Sequence, residues 1–166
     1  MKKKIRVIAV ALLFAAMLAA PVLAAPATKI EGVTATADGT PIPSSMRTVS
    51  HGSIRHIKGT TTGTVYLTIP GLGTLEGTWN SEWVTRSKIS QDPTEALIAS
   101  KLVWTFTGEG TTGTFEGVDQ RKIIGGSYFE DNLVLHGTGD FQGQTLKLSY
   151  EGTPPVNNEG YLIIPK

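Results

Sequence analysis

Cysteine is absent from the 166 residues. That excludes disulfides, thiolate metal centres, a thiol nucleophile and a lipid anchor on cysteine, and leaves burial and strand pairing to hold the fold. Charge is scarce as well, at 17 % of residues. Beyond the first six positions there is no basic run, so no nucleic-acid partner is expected. Sustained helical periodicity is missing, and glycine and threonine, which are poor helix formers, are abundant. No serine sits in a nucleophile-elbow context, and no glycine-rich stretch is followed by a helix that could cradle a phosphate. No cofactor is expected.

One long apolar run exists, and it stands at the start. Lys2, Lys3, Lys4 and Arg6 precede an uncharged stretch from Val7 to Ala20, and Pro21, Val22, Leu23, Ala24 and Ala25 follow. A positive segment, an apolar segment and small residues at the end make an export signal. Val22 and Ala24 suit positions −3 and −1 of a cleavage site, so residues 1–24 read as a signal peptide. The competing reading is an uncleaved membrane anchor, because the run approaches the roughly 17 residues a span requires. Cleavage is preferred, which predicts a secreted or otherwise extracytoplasmic protein (periplasmic or cell-envelope) without stable membrane insertion. Losing Lys2, Lys3, Lys4 and Arg6 takes the formal net charge from +1 to −3.

What remains alternates with period two, the signature of half-buried strands. Residues 25–45 read as an irregular N-terminal arm, with a short strand at Lys29 to Thr36 as the one regular element it could hold, because Asp38-Gly39 signals a turn and Pro41 and Pro43 oppose regular structure. A barrel domain is expected over residues 46–166. Its strands are placed at Met46 to Lys58, Gly63 to Ile69, Gly73 to Arg86, Glu95 to Thr107, Thr112 to Ile124, Ser127 to His136, Thr145 to Glu151 and Tyr161 to Ile164. Turns are expected at Pro70-Gly71, Asp92-Pro93, Gly125-Gly126, Glu130 to Asn132, Pro154-Pro155 and Asn157-Asn158. Each long strand has one apolar face and one Thr/Ser/charged face. About eight such strands without crossover helices predict an all-β fold, a single antiparallel, calycin-like β-barrel with no substantial helix after the signal.

A short pattern recurs. Gly73-Thr74-Leu75-Glu76-Gly77 is matched by Gly113-Thr114-Phe115-Glu116-Gly117, and more loosely by Gly139-Asp140-Phe141-Gln142-Gly143. A large apolar residue between two glycines on one strand face fills space its neighbours leave empty, so the pattern reads as barrel geometry. The stretch from Leu135 to Gly143 resembles the glycine-rich hairpin of allene oxide cyclase-like and dirigent-like β-barrels. The stretch from Trp104 to Gly117 is similar in style to bacterial and archaeal barrels of that kind. The resemblance implies a calycin-type barrel with an apolar interior. Its members include cyclases of oxidised fatty acids and proteins that guide radical coupling. No catalytic residue of either activity matches a position in this chain.

Titratable residues are scattered. His51 and His56 are five apart, on opposite faces of a straight strand, which is poor spacing for one metal ion, so no metal site is expected. Glu76 and Glu116 fall opposite the apolar faces. The aromatics are the suggestive set: Trp79, Trp83, Trp104, Phe106 and Phe115 share the inward parity. They would either line a ligand cavity or fill the barrel as packed core. Trp83, nearest a strand end, is the best placed to reach a mouth. Three functions follow in order of preference. The first is non-catalytic binding of a small apolar or amphipathic ligand by Trp79, Trp83, Trp104, Phe106 and Phe115. The second is a structural envelope or filament subunit that self-associates through its N-terminal arm. The third is a cofactor-free cyclase or isomerase, recognisable by convergent ionisable groups inside the cavity.

Overall fold

The alternating sequence folds into nine strands and one 3-10 turn. The computed structural model describes residues 26–89, 95–108, 110–153 and 157–166. The signal segment 1–24 and the turns placed at Asp92-Pro93 and Pro154-Pro155 lie outside the described residues. In chain order the strands are β1 (Thr28–Pro41), β2 (Arg47–His51), β3 (Ile54–Ile69), β4 (Gly73–Lys88), β5 (Ala96–Gly108), β6 (Thr111–Ile124), β7 (Tyr128–Gly139), β8 (Thr145–Gly152) and β9 (Asn158–Ile164).

From β2 to β9 each strand pairs antiparallel with the next, and β1 then joins β9 to β3. The result is a closed antiparallel barrel of eight strands, with β2 as an extra strand. The length of β3 makes this possible. Its edge takes β2 along Ile54–Lys58 and β1 along Thr61–Thr68. Between β1 and β2 the 3-10 turn Pro43–Ser45 interrupts the ladder, where prolines lack the N–H that pairing requires.

Several boundaries differ from the sequence expectation. The segment expected as an irregular arm, 25–45, contains a 14-residue strand whose first half pairs with β9 and whose second half pairs with β3, so the barrel begins at Thr28 rather than at residue 46. Asp38-Gly39, a turn by composition, is strand, paired with Thr64 and Gly63. The strand placed over Met46 to Lys58 is a hairpin, bent at Gly52 with φ 57°. Glu130 to Asn132 lies inside β7 and the turn precedes it at Gly125-Gly126, both with positive φ. Asn158 belongs to β9, not to a loop.

Inward residues stack in rows across the strands. One row runs Val65, Gly77, Phe106 and Gly113, and the next runs Gly63, Trp79, Trp104, Phe115 and Gly137. Leu67, Leu135, Leu146 and Leu162 complete the apolar half. The third glycine copy is a turn, not a strand, and its Phe141 folds back to stack on Phe115 at 4.6 Å between ring centroids. A Cβ on Gly113 would lie 2.7 Å from Phe141, so the second copy's glycine makes room for the third copy's ring. Gly63 lies closest to its neighbour: a Cβ there would stand 1.7 Å from the carbonyl oxygen of Asp38, which lets β1 close the barrel.

The outer face mixes hydroxyl-bearing and charged residues with scattered exposed apolar ones, among them Val84, Leu97, Val103 and Val118. Thr64, Thr78, Thr105, Thr114 and Thr138 form one cross-strand row of hydroxyls, with Thr114 and Thr138 hydrogen-bonded at 2.7 Å. A lipid-facing barrel carries an apolar band on that side. No helix among the described residues is long and apolar enough to cross a membrane.

Candidate functional site

Towards the end of the barrel bearing the β6–β7 turn, the inward rows change character. Small and polar residues replace leucine and phenylalanine: Thr61, Ser81, Thr85, Ser100, Asp119 and Asp131. Small side chains cannot fill a ring of eight strands, and a cavity of about 380 Å³ results. That is about a dozen water volumes at roughly 30 Å³ each, within the range of small-molecule sites.

Trp79, Trp83 and Trp104 line this cavity. Trp104 is buried, while Trp79 and Trp83 are half-buried. Each of the latter two is fixed by its indole N–H: Trp79 donates to the Asp38 carbonyl at 2.8 Å, and Trp83 donates to Thr61 Oγ1 at 2.9 Å. Glycines seat the rings. A Cβ on Gly39 would lie 2.2 Å from Trp79 Cζ2, and one on Gly59 would lie 2.8 Å from Trp83 Cζ2. Phe106 and Phe115 stand elsewhere. They are buried in the apolar half and do not line the cavity; Phe106 lies one row deeper than Trp104, and Phe115, in the same row as Trp104, is stacked on Phe141.

The β6–β7 side of the cavity is ionic. Asp119 and Arg121 on β6 and Asp131 on β7 point inward, with Asp131 directly opposite Arg121 in the register. Arg121 Nη2 lies 3.1 Å from Asp131 Oδ2 and 3.4 Å from Asp119 Oδ2, and its Nε lies 3.4 Å from Asp131 Oδ2. Ser100 donates to Asp119 Oδ2 at 3.3 Å. The carboxylate side chains are 3 % and 1 % exposed, whereas the arginine is 38 % exposed, so the cluster opens to solvent through Arg121. Two carboxyls share one guanidinium, and apart from the hydrogen bond between the carboxyls themselves no donor reaches their Oδ1 atoms. Burial pushes the Asp119 carboxyl up to about 8; a hydrogen bond to Asp131 and that group's negative charge push the same way, while Arg121 and Ser100 pull it down. At neutral pH Asp119 therefore holds a proton against the Asp131 carboxyl.

The histidines lie apart from this. The β2–β3 hairpin puts His51 and His56 on the same outer side, contrary to the opposite faces expected of one straight strand, and His136 is exposed, 3.3 Å from Thr145 Oγ1. Among the described residues no group of three His, Cys, Asp or Glu is placed to hold a metal ion. Glu76 and Glu116 are exposed on the outer face.

Sequence reasoning passed over Asp119, Arg121, Asp131, Ser100 and Asn158. A signal was available for the pair on β6: Phe115 is inward, and parity carries positions 117, 119 and 121 to the same side. Neither protein-family models nor curated proteins give a match to this chain.

Proposed function

We propose that the protein is an exported barrel that binds a small amphipathic molecule in this cavity without transforming it. One observation carries the reading: three tryptophans and a solvent-connected carboxylate–arginine cluster line the same roughly 380 Å³ space. Indole faces suit a flat or aliphatic body, and the ionic wall suits a polar head. The hydroxyl-bearing outer face supports a water-soluble barrel, and the N-terminal pattern of charge, apolar run and small residues supports export. The first test is native mass spectrometry of protein recovered from the host's exported fraction, looking for a retained small molecule. In parallel, the environment-sensitive probe N-phenyl-1-naphthylamine reports the cavity by fluorescence. Trp83→Ala is expected to weaken probe binding by about tenfold, the cost of losing one aromatic wall. Unchanged affinity would place the probe elsewhere and remove the tryptophan wall from the reading.

A second reading, a cofactor-free isomerase or cyclase, is favoured by the proton that Asp119 retains at neutral pH inside the cavity. The weak likeness to allene oxide cyclase-like barrels points the same way. The two separate in deuterated water. A molecule recovered from the cavity and incubated with the protein acquires carbon-bound deuterium only if a proton-transfer cycle operates.

A further inference from the structure

Resting on the cavity-binding reading, we infer that the ligand's head is an ammonium group, seated on Asp119, Asp131 and Asn158 with its apolar body against the tryptophans. The cavity wall has a surplus of hydrogen-bond acceptors. Apart from the proton that joins the two carboxyls, no donor reaches Asp119 Oδ1, Asp131 Oδ1 or Asn158 Oδ1, and these residues are 3 %, 2 % and 7 % exposed. All three line the cavity, and they come from three different strands. Buried oxygens of this kind call for donors, and an ammonium brings three. An anionic head is disfavoured, because Arg121, the cavity's cation, is already engaged by both carboxylates. Trp83 and Trp104 add the electron-rich faces that attract a cation.

Charge balance identifies what the ammonium replaces. Empty, the cluster keeps a proton on Asp119 beside the Arg121 guanidinium and the Asp131 carboxyl. A bound ammonium supplies the charge that lets Asp119 ionise, so binding exchanges one cation for one proton. The groups facing Asp119 are Asp131 on β7, Arg121 on its own strand and Ser100 on β5. Tyr150 on β8 stands opposite Asp131, and Arg55 on β3 lies further out on the inward side. The inward residues of β4 and β5 are uncharged.

The test is calorimetry of the purified protein with three probes of one shape: 4-phenylbutylamine, 4-phenylbutanol and 4-phenylbutanoate. The expected order is amine, then alcohol, then carboxylate. Titrations in buffers of different ionisation enthalpy are expected to show release of up to one proton per amine bound at pH 7. Amine affinity should rise towards about tenfold per pH unit between 6 and 8 and then level off. Asp119→Asn is expected to weaken the amine about 10–100-fold, to abolish proton release and to spare the alcohol. Tighter binding of the carboxylate than of the amine, or amine binding without proton release, would overturn the ammonium assignment while leaving a binding cavity. Failure of all three probes would overturn the cavity-binding reading itself.

Discussion

Replacing Asp119 by asparagine should change how stability depends on pH more than it changes the fold. Asparagine has the shape of the protonated acid and can still donate to Asp131, so the substitution fixes the state that the wild type holds at neutral pH. The wild-type carboxyl moves from an ordinary 3.8 to about 8 on folding. Between those values the folded chain keeps a proton that the unfolded chain releases. Wild-type stability therefore falls as pH rises, by about 1.4 kcal/mol per unit from this group. Across the window the upper bound is about 6 kcal/mol, reduced by whatever relaxation and water entry the ionised pair draws on. The contribution is complete below pH 4 and gone above pH 8. Urea unfolding of both proteins at half-unit steps from pH 4.5 to 8.5 gives the comparison. Subtracting the curves cancels the exposed carboxylates and histidines common to both. The stability of Asp119→Asn minus that of the wild type should climb steadily with pH and flatten above 8. A difference flat within about 0.5 kcal/mol, the scatter expected of surface substitutions, would refute the shared-proton account.

Other substitutions test the neighbouring arguments. Arg121→Met removes the cation that both buried carboxyls share, and should cost about 3–5 kcal/mol at pH 7 by urea unfolding. Gly39→Ala drives a methyl into the Trp79 ring and should destabilise by about 1–3 kcal/mol, with a changed near-ultraviolet circular dichroism signal from the displaced indole. Phe141→Ala removes the ring stacked on Phe115 and should cost about 3–5 kcal/mol while leaving probe binding in the cavity within twofold, because Phe141 does not line the cavity. N-terminal sequencing of the exported protein is expected to begin at Ala25.

The strands and their inward faces could be read from period-two alternation because burial imposes that period directly. The inward parity of Trp79, Trp83, Trp104, Phe106 and Phe115 holds in the structure for this reason. Parity gives the side of the sheet but not the height along the barrel axis. Height depends on the register, which is a long-range property, so Trp104 and Phe106 looked equivalent although one meets the cavity and the other does not. The ionic cluster was missed for a related reason. Asp119 and Asp131 were weighed as charged residues, and charge usually means surface. Their inward parity, set by Phe115 and Leu133, carried the better information. Asp131 was further obscured by Glu130 and Asn132, whose composition imitates a turn.

The N-terminal arm was misjudged because proline and Asp-Gly are local signals, and closure of a barrel is not a local matter. β1 bonds to β3 over Thr34–Pro41 and to β9 over Thr28–Ala35, so it lies between the start and the end of the ring. Val33 and Ala35 are buried in the shared core. β1 is paired on both edges only at Thr34 and Ala35, and each of its halves keeps one open edge that a neighbouring chain could take, so closure and self-association compete as roles for this arm. Deleting residues 26–41 separates the alternatives. If β1 is the closing strand, deletion bares one edge of β3 and one of β9 and exposes the core at Leu67 and Leu162. The variant should then lose cooperative unfolding and aggregate. If the arm serves self-association, the variant should remain a folded monomer with the wild-type unfolding midpoint. Sedimentation velocity alongside urea unfolding distinguishes the outcomes, and a cooperative monomer would restore the structural-subunit reading.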